Sequence, residues 1–330
     1  MSARDQIEVR PFEPGRDAQS VVRLIELAFG DKLGPDGDVV VAEMRRVARW
    51  GPLLQWIYWP IWGGGEFAPG FVWVEGGRVC GNVSIRRALE WGGFFIGNVA
   101  VHPEKRGRGI ASALMERAIE AIREQRGQWV GLEVRADNQV AQKLYEQLGF
   151  REVGRTRHML RPANVDKEVP LSSQPPLRRG CSQDSAALIS LVRTLIPAPH
   201  RPLLELRTEE YRPKWSYPMS LWFNGRYQVW WVVEEGGEIR GAVRAVRVWG
   251  RRPHRLEILI APECEGCFEM ALVQRGIDSV QGISKKMIEI ELPSFTNSLV
   301  GALKEHGFEA LRTLVQMRLD LGRRIPVREY

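Results

Sequence analysis

The chain has 330 residues, 44% apolar and 26% charged, with a formal net charge of +7. This composition excludes disorder and exceeds what one hydrophobic core usually organises. Four cysteines are too few for a disulfide framework, and no apolar run reaches the roughly 18 residues of a membrane helix.

The basic excess is even, with 23 basic against 20 acidic residues in 1–165 and 24 against 20 in 166–330. A nucleic-acid binder concentrates charge in an arm or stripe, so no nucleic-acid partner is expected, and a small phosphorylated ligand suits the charge better. With no apolar signal core at the start, the expected location is the cytoplasm, with no membrane partner. The Asn82-Val-Ser84 sequon is then silent.

In chain order, Ile7–Arg10 reads as a strand and Ala18–Phe29 as a helix, with Asp17 at the N-cap position. Strands flank a Gly-Gly turn in Glu75-Gly-Gly-Arg-Val-Cys-Gly81, and Phe94–Val101 is a mostly apolar strand. Ile110–Arg126 carries Ile110, Leu114, Ala118 and Ile122 at four-residue spacing, the stripe of an amphipathic helix that Gly127 ends. Trp129–Val134 is the next strand; Asn138–Leu148 is a helix capped by Asn138 and closed by Gly149. The second half restarts with a strand at Leu177–Arg179 and a helix at Ser185–Ile196, with Asp184 as its cap.

Three segments recur at nearly one offset. Glu75–Gly81 returns as Glu235–Gly241, Val101–Glu104 as Ile260–Glu263, and Glu146–Phe150 as Lys304–Phe308. A period of about 160 residues is far too long for a solenoid and fits two copies of one domain. The expected division is 1–162, a linker over 163–176 containing Ser172-Ser-Gln-Pro-Pro176, and 177–330. Each copy is expected to be α/β (layered α+β), with a mixed central sheet flanked by helices.

The segment Val101-His-Pro-Glu-Lys-Arg-Gly-Arg-Gly-Ile-Ala111 joins a strand to a helix. Helix N-termini there leave N–H groups without partners at the positive end of the dipole. Glycines let the backbone approach an anion, and two arginines add charge-assisted donors, which suits a diphosphate. The loop lacks the Gly-x-x-x-x-Gly-Lys pattern and the third glycine of the dinucleotide fingerprint. A solvated turn is the plainer alternative.

Arg106-Gly-Arg-Gly109-Ile-Ala111 resembles the acetyl-CoA loop of the GNAT N-acetyltransferase superfamily, Gln/Arg-x-x-Gly-x-Gly/Ala. Leu132–Asn138, Leu144-Tyr145 and Gly149-Phe150 are similar to that family's Asn and Tyr, seven residues apart before a Gly-Phe pair. The nearest look is to the bacterial ribosomal-protein N-acetyltransferase type. The resemblance is strong over 99–150 and looser over 7–98. It implies two tandem GNAT folds and acyl transfer from acetyl-CoA to an amine. Val99, Ala100 and Val101 would hold the pantetheine and acetyl carbonyl. Arg106, Gly107, Arg108, Gly109, Ile110, Ala111 and Ser112 would hold the pyrophosphate, and Asn138 would contact the cofactor. Tyr145 would be the general acid and Glu133 the general base, through water; a carboxylate in an apolar strand can have a raised pKa. Otherwise Tyr145 is an ordinary half-buried tyrosine, Glu133 a solvated strand residue and Asn138 a plain N-cap.

The second copy departs from that pattern: its loop is the acidic Pro262–Phe268, Tyr145 maps to Leu303, Asn138 to Thr296 and Glu133 to Glu291. It is expected to be non-catalytic. Cys264-Glu-Gly-Cys267 has metal spacing but no second pair, and the five histidines are scattered, so no metal is expected. Tryptophans in 50–62 and at Trp215, Trp222, Trp230 and Trp231 suit core or interdomain packing, an acceptor wall, or a homo-oligomer interface. The function expected is transfer of acetyl to the primary amine of a small molecule. The alternatives are a protein or peptide N-terminal or lysine acetyltransferase, and a CoA-sensing or nucleic-acid-binding module without turnover.

Overall fold

Pro14 opens the first helix, and its fixed φ and missing N–H suit the first helical position. Val21, Val22, Leu24 and Ile25 from that helix, α1 (Pro14–Phe29), pack on Val72, Val74 and Ala100 of the adjoining strands. The computed structural model describes residues 7–29, 70–165, 175–197, 200–205, 207–213, 226–250, 252–281, 285–294 and 296–322, which fall into two units.

Unit 1 is built on β1 (Ile7–Pro11), β2 (Gly70–Glu75), β3 (Arg78–Arg87), β4 (Gly93–Val101) and β5 (Trp129–Arg135). Consecutive strands pair antiparallel up to β4, and β4 pairs parallel with β5. The crossover between β4 and β5 is α2 (Ile110–Glu124); α3 (Gln139–Gln147) follows β5. The stripe expected on α2 is its core face: Ile110 and Leu114 are buried, as are Ala118 and Ile122. Gly81 lets α2 approach the sheet, because a Cβ there would lie 2.8 Å from Leu114.

Unit 2 repeats the scheme with β7 (Leu177–Arg179), β8 (Arg226–Glu235), β9 (Glu238–Val248), β10 (His254–Ile260) and β11 (Ile288–Pro293). Its longer helices are α4 (Ser185–Leu195), α5 (Glu269–Gln281) and α6 (Leu299–Glu305), with one short turn of helix at Arg201–Leu204. Again one pair, β10–β11, is parallel, and the others are antiparallel. Each unit is thus a mixed sheet flanked by helices. The closing strands, β6 (Arg151–Arg161) and β12 (Glu309–Asp320), are shared out between the units. Unit 1 takes Gln316–Tyr330 from the end of the chain, and unit 2 takes β6 from Gly154 onward, which pairs antiparallel with β11.

The sequence offset reappears in the hydrogen bonding. His102 N–H donates to Cys80 O and Ala261 N–H to Arg240 O, both at 2.8 Å. Phe150 N–H reaches Tyr145 O at 3.0 Å, and Phe308 N–H reaches Leu303 O at 2.9 Å. The Gly76-Gly77 and Gly236-Gly237 turns all have positive φ, as tight hairpin turns require.

Three expected helix ends need correction. Asp17 is not an N-cap: α1 begins three residues earlier, and buried Asp17 accepts the Glu13 N–H and the Arg10 guanidinium instead. Asp184 does precede α4, yet its carboxylate takes the Cys181 N–H and Arg178. After α2 the left-handed residue is Arg126, at φ 59°. Gly127 is needed for space, since a Cβ would lie 2.4 Å from Ile122. Asn138 and Gly149 do cap and close α3, the latter at φ 91°. Among the described residues no helix is long and apolar enough to cross a membrane.

Candidate active site

The parallel ladder between β4 and β5 runs only from Gly93–Trp129 to Phe95–Gly131, although β4 continues to Val101 and β5 to Arg135. The cause lies in β4. Asn98 has φ 50°, the β3–β4 register slips at this point, and the buried Asn82 side chain donates to Asn98 O at 3.0 Å. A bulge bends its strand and sharpens the local twist. The two strands part beyond it, with Val99, Ala100 and Val101 on the far side.

The chain then turns through Pro103–Lys105 into Gly107 (φ 77°) and Gly109 (φ 76°), the latter the N-cap of α2. A Cβ at either glycine would meet nothing within 4 Å. Backbone conformation, not crowding, therefore demands glycine here. No side chain caps α2, and its first intrahelical bond of this turn is Ala113 N–H to Gly109 O. The N–H groups of Ile110, Ala111 and Ser112 have no helical acceptor, at the positive end of a 15-residue helix.

The loop's cations are engaged with the chain itself. Arg106 donates to Val101 O at 3.3 Å and to Ala28 O at 3.2 Å, tying the loop to β4 and α1. Arg108 reaches both Glu75 oxygens, at 3.2 and 3.0 Å, and Lys105 reaches one of them at 2.9 Å. Hydrogen bonds from Lys105, and then from Arg108, hold the Glu75 carboxyl below the usual carboxylate range. The arrangement makes Glu75 the fixed counter-charge of the loop, a residue that sequence reasoning singled out only as part of the repeat.

Tyr145, on α3, is buried, and desolvation pushes its phenol up to about 12. Its ring stands 6.1 Å from that of Phe150. Glu133 sits between Leu132 and Val134, both buried, but is itself exposed. The apolar surroundings expected for it are absent. Its Oε1 accepts a hydrogen bond from Nε2 of buried Gln316 at 3.2 Å. Gln316 is 183 residues away, and no local signal marks it. The Asn138 side chain accepts the Ala141 N–H at 3.2 Å, as an N-cap does. Ser112 Oγ donates to Glu116 at 3.0 Å.

The corresponding place in unit 2 is closed. The β10–β11 ladder also ends after three pairs, at Leu256–Ile290, and Gly266 is left-handed at φ 88°. Here, though, the first residue of α5, buried Glu269, accepts the N–H groups of Gly266 and Phe268 at 2.7 and 3.1 Å. A carboxylate of the chain sits where an anion would. Leu303 is fully buried at the Tyr145 position, and the Thr296 hydroxyl is turned to Pro293 O. Cys264 and Cys267 form a turn with free thiols.

Of the tryptophans, Trp230 is core, and Trp231 donates to Ser279 and lies 4.5 Å under Arg275. Residues 50–62, Trp215 and Trp222 lie outside the described residues, as does most of the expected linker.

Residues 41–150 match the family model described as the acetyltransferase (GNAT) family. This stretch, a third of the chain, is similar to a GNAT acetyltransferase domain. That similarity supports an acyltransferase that uses acetyl-CoA as acyl donor. Solved structures resemble the chain along nearly its whole length. A GCN5-related N-acetyltransferase from Sphaerobacter thermophilus has a TM-score of 0.66 at 17% identity, covering 96% of both chains. A tandem GNAT protein from the clavulanic acid biosynthesis pathway has a TM-score of 0.58 at 16% identity, covering 96% of this chain and 99% of its own. A glucosamine N-acetyltransferase region of a fungal multi-domain β-N-acetylglucosaminidase has a TM-score of 0.62 at 13% identity, over 95% of this chain and 38% of that one. At these identities the likeness establishes the GNAT-like fold.

Proposed function

We propose that the chain is a tandem of two GNAT-fold copies divided within 163–176, whose first copy moves acetyl from acetyl-CoA to a primary amine of a small molecule. The observation that carries this reading is the contrast between two helix N-termini. α2 begins at two left-handed glycines with uncapped N–H groups, whereas α5 is capped by its own Glu269. The first can hold a diphosphate; the second already holds a carboxylate. Coverage of 99% of a tandem GNAT protein supports two copies.

On this reading Gly107 through Ser112 hold the pyrophosphate by their backbone, with Arg106 and Arg108 shaping the loop. The main chain of Val99, Ala100 and Val101 lines the gap between the parted strands and takes the pantetheine and acetyl carbonyl. Asn138 flanks the cofactor while capping α3. Glu133, steadied by Gln316, accepts a proton from the amine through water. The amine nitrogen attacks the thioester carbon, the C–S bond breaks, and the departing thiolate takes the Tyr145 proton.

Calorimetric titration with acetyl-CoA tests the reading. One site per chain, lost in Gly109→Val, is expected. Two sites would refute the closed second copy, and no binding would refute the enzyme. Initial rates with amino sugars against peptide N-termini and lysines decide the acceptor class, and the small-molecule reading fails if only peptides are acetylated.

A further inference from the structure

In unit 2, β6 and β11 pair with Glu291 directly opposite His158. Strand side chains alternate between faces, so Glu289 shares that face with them. His158 Nδ1 lies 3.4 Å from Glu289 Oε1 and 3.8 Å from Glu291 Oε1, and one donor atom from each residue falls within 4.8 Å of the other two. His158 and Glu289 are buried, at 6% and 2% exposure. Two carboxylates this close, one of them stripped of water, repel each other; Arg255 Nε, 4.0 Å from Glu289 Oε2, offsets part of that charge, and a cation between the two would offset more.

A second observation points to the same place. Glu289 and Glu291 line a cavity of about 690 Å³ within unit 2, together with Thr156. Thr156 lies two residues before His158 on the same face of β6. It is 4% exposed, and its Oγ1 has no hydrogen-bond partner. The Thr156 hydroxyl is thus left unpaired on the face that carries the acidic pair, and Thr156, Glu289 and Glu291 border a space large enough for an ion and its remaining ligands.

Unit 1 supplies the contrast on the same backbone. At the positions of Glu289 and Glu291, 158 residues earlier, it has Gly131 and Glu133, and an amide, Gln316, faces the one carboxylate. Unit 1 offers one ligating group where unit 2 offers three.

We propose that His158, Glu289 and Glu291 bind one divalent transition-metal ion of the Zn²⁺ or Co²⁺ class, with a coordination position open to the cavity. Imidazole with carboxylates favours such an ion over Mg²⁺ or Ca²⁺, which take oxygen ligands. With metal–ligand bonds of about 2.0–2.2 Å, tetrahedral ligand atoms stand roughly 3.4 Å apart. The His158–Glu289 separation already meets that, and exposed Glu291 has the freedom to close the remainder. Two carboxylates balance the ion's charge. The site does not depend on acetyl transfer in unit 1.

The test is Co²⁺ titration of the chelator-stripped full-length chain carrying Cys264→Ser and Cys267→Ser, read by calorimetry and by visible absorption, with Zn²⁺ displacement. One ion per chain is expected. His158→Gln and, separately, the surface change Glu291→Gln should weaken it by more than the roughly 10- to 100-fold that loss of an outer-shell partner costs. Unchanged circular dichroism and acetyl-CoA affinity control for folding. No binding overturns the proposal, as does undiminished binding in both variants. So does binding that requires the two cysteines.

Discussion

Arg10 grips Asp17 through two parallel hydrogen bonds of 2.7 Å, joining β1 to the first turn of α1 with both side chains buried. Unit 2 contains the same device, Arg178 on Asp184 at 2.8 and 2.8 Å, there joining β7 to the turn before α4. In each, the carboxylate also accepts one backbone N–H, from Glu13 or Cys181. Bidentate geometry fixes the angle at which the first helix leaves the first strand.

Removing one partner leaves a buried charge uncompensated. Asp17→Ala should lower unfolding stability by about 3 kcal/mol, measured by urea denaturation at neutral pH. Arg178→Ala should cost less, because that guanidinium is 41% exposed and its bond to Glu234 is a surface pair.

The pairs also predict an acid limb. Burial acts to raise the Asp17 pKa, but hydrogen bonds from Arg10 and the Glu13 N–H outweigh it, and the net shift is downward. Asp184 is lowered mainly by its bond from Arg178. A depressed folded pKa gives stability that is complete above the unfolded value, about 3.9, and is lost as pH falls through the folded one. Asp17→Asn should flatten the acid side of the stability–pH curve while lowering its neutral plateau. A curve parallel to wild type would show that Asp17 is not a titrating contributor.

Tyr145, pushed up to about 12 by burial, stays protonated through the working range of any assay. Tyr145→Phe should cut kcat by about 10²–10⁴ without shifting the profile between pH 7 and 10. An alkaline loss of rate in that window that disappears in Tyr145→Phe would contradict the raised pKa, and an undiminished kcat in Tyr145→Phe would contradict the acid role.

Glu269→Ala should destabilise unit 2 by about 1 kcal/mol, the usual worth of a helix cap, because Gly266 and Phe268 lose their acceptor. Acetyl-CoA stoichiometry should stay at one. A rise to two would mean that Glu269 alone keeps the second helix end closed.

Much of this was readable because it is local. The α2 stripe, the glycine turns and the α3 caps are set by residues within a few positions of one another, and they stand where periodicity put them. The loop from Arg106 to Gly109 was legible for the same reason. What escaped were partners distant in sequence. Glu75 reaches Arg108 across 33 residues, Gln316 reaches Glu133 across 183, and His158 reaches Glu289 across 131. The acidic loop of unit 2 marked that copy as non-catalytic; Glu269 does more, filling the anion's place. Asp17 was misplaced because a buried ion pair and a proline, not a cap, start α1.

The sharing of closing strands sets when the protein can become active during its synthesis. Gln316 and the end of β12 belong to unit 1, yet Gln316 leaves the ribosome 183 residues after Glu133, its partner. The unit bearing Tyr145 and Glu133 must therefore wait, with an unfilled sheet edge, until the chain of unit 2 has been made. Such an edge templates pairing with other chains. A chain that stopped before Gln316 would leave that edge of unit 1 open.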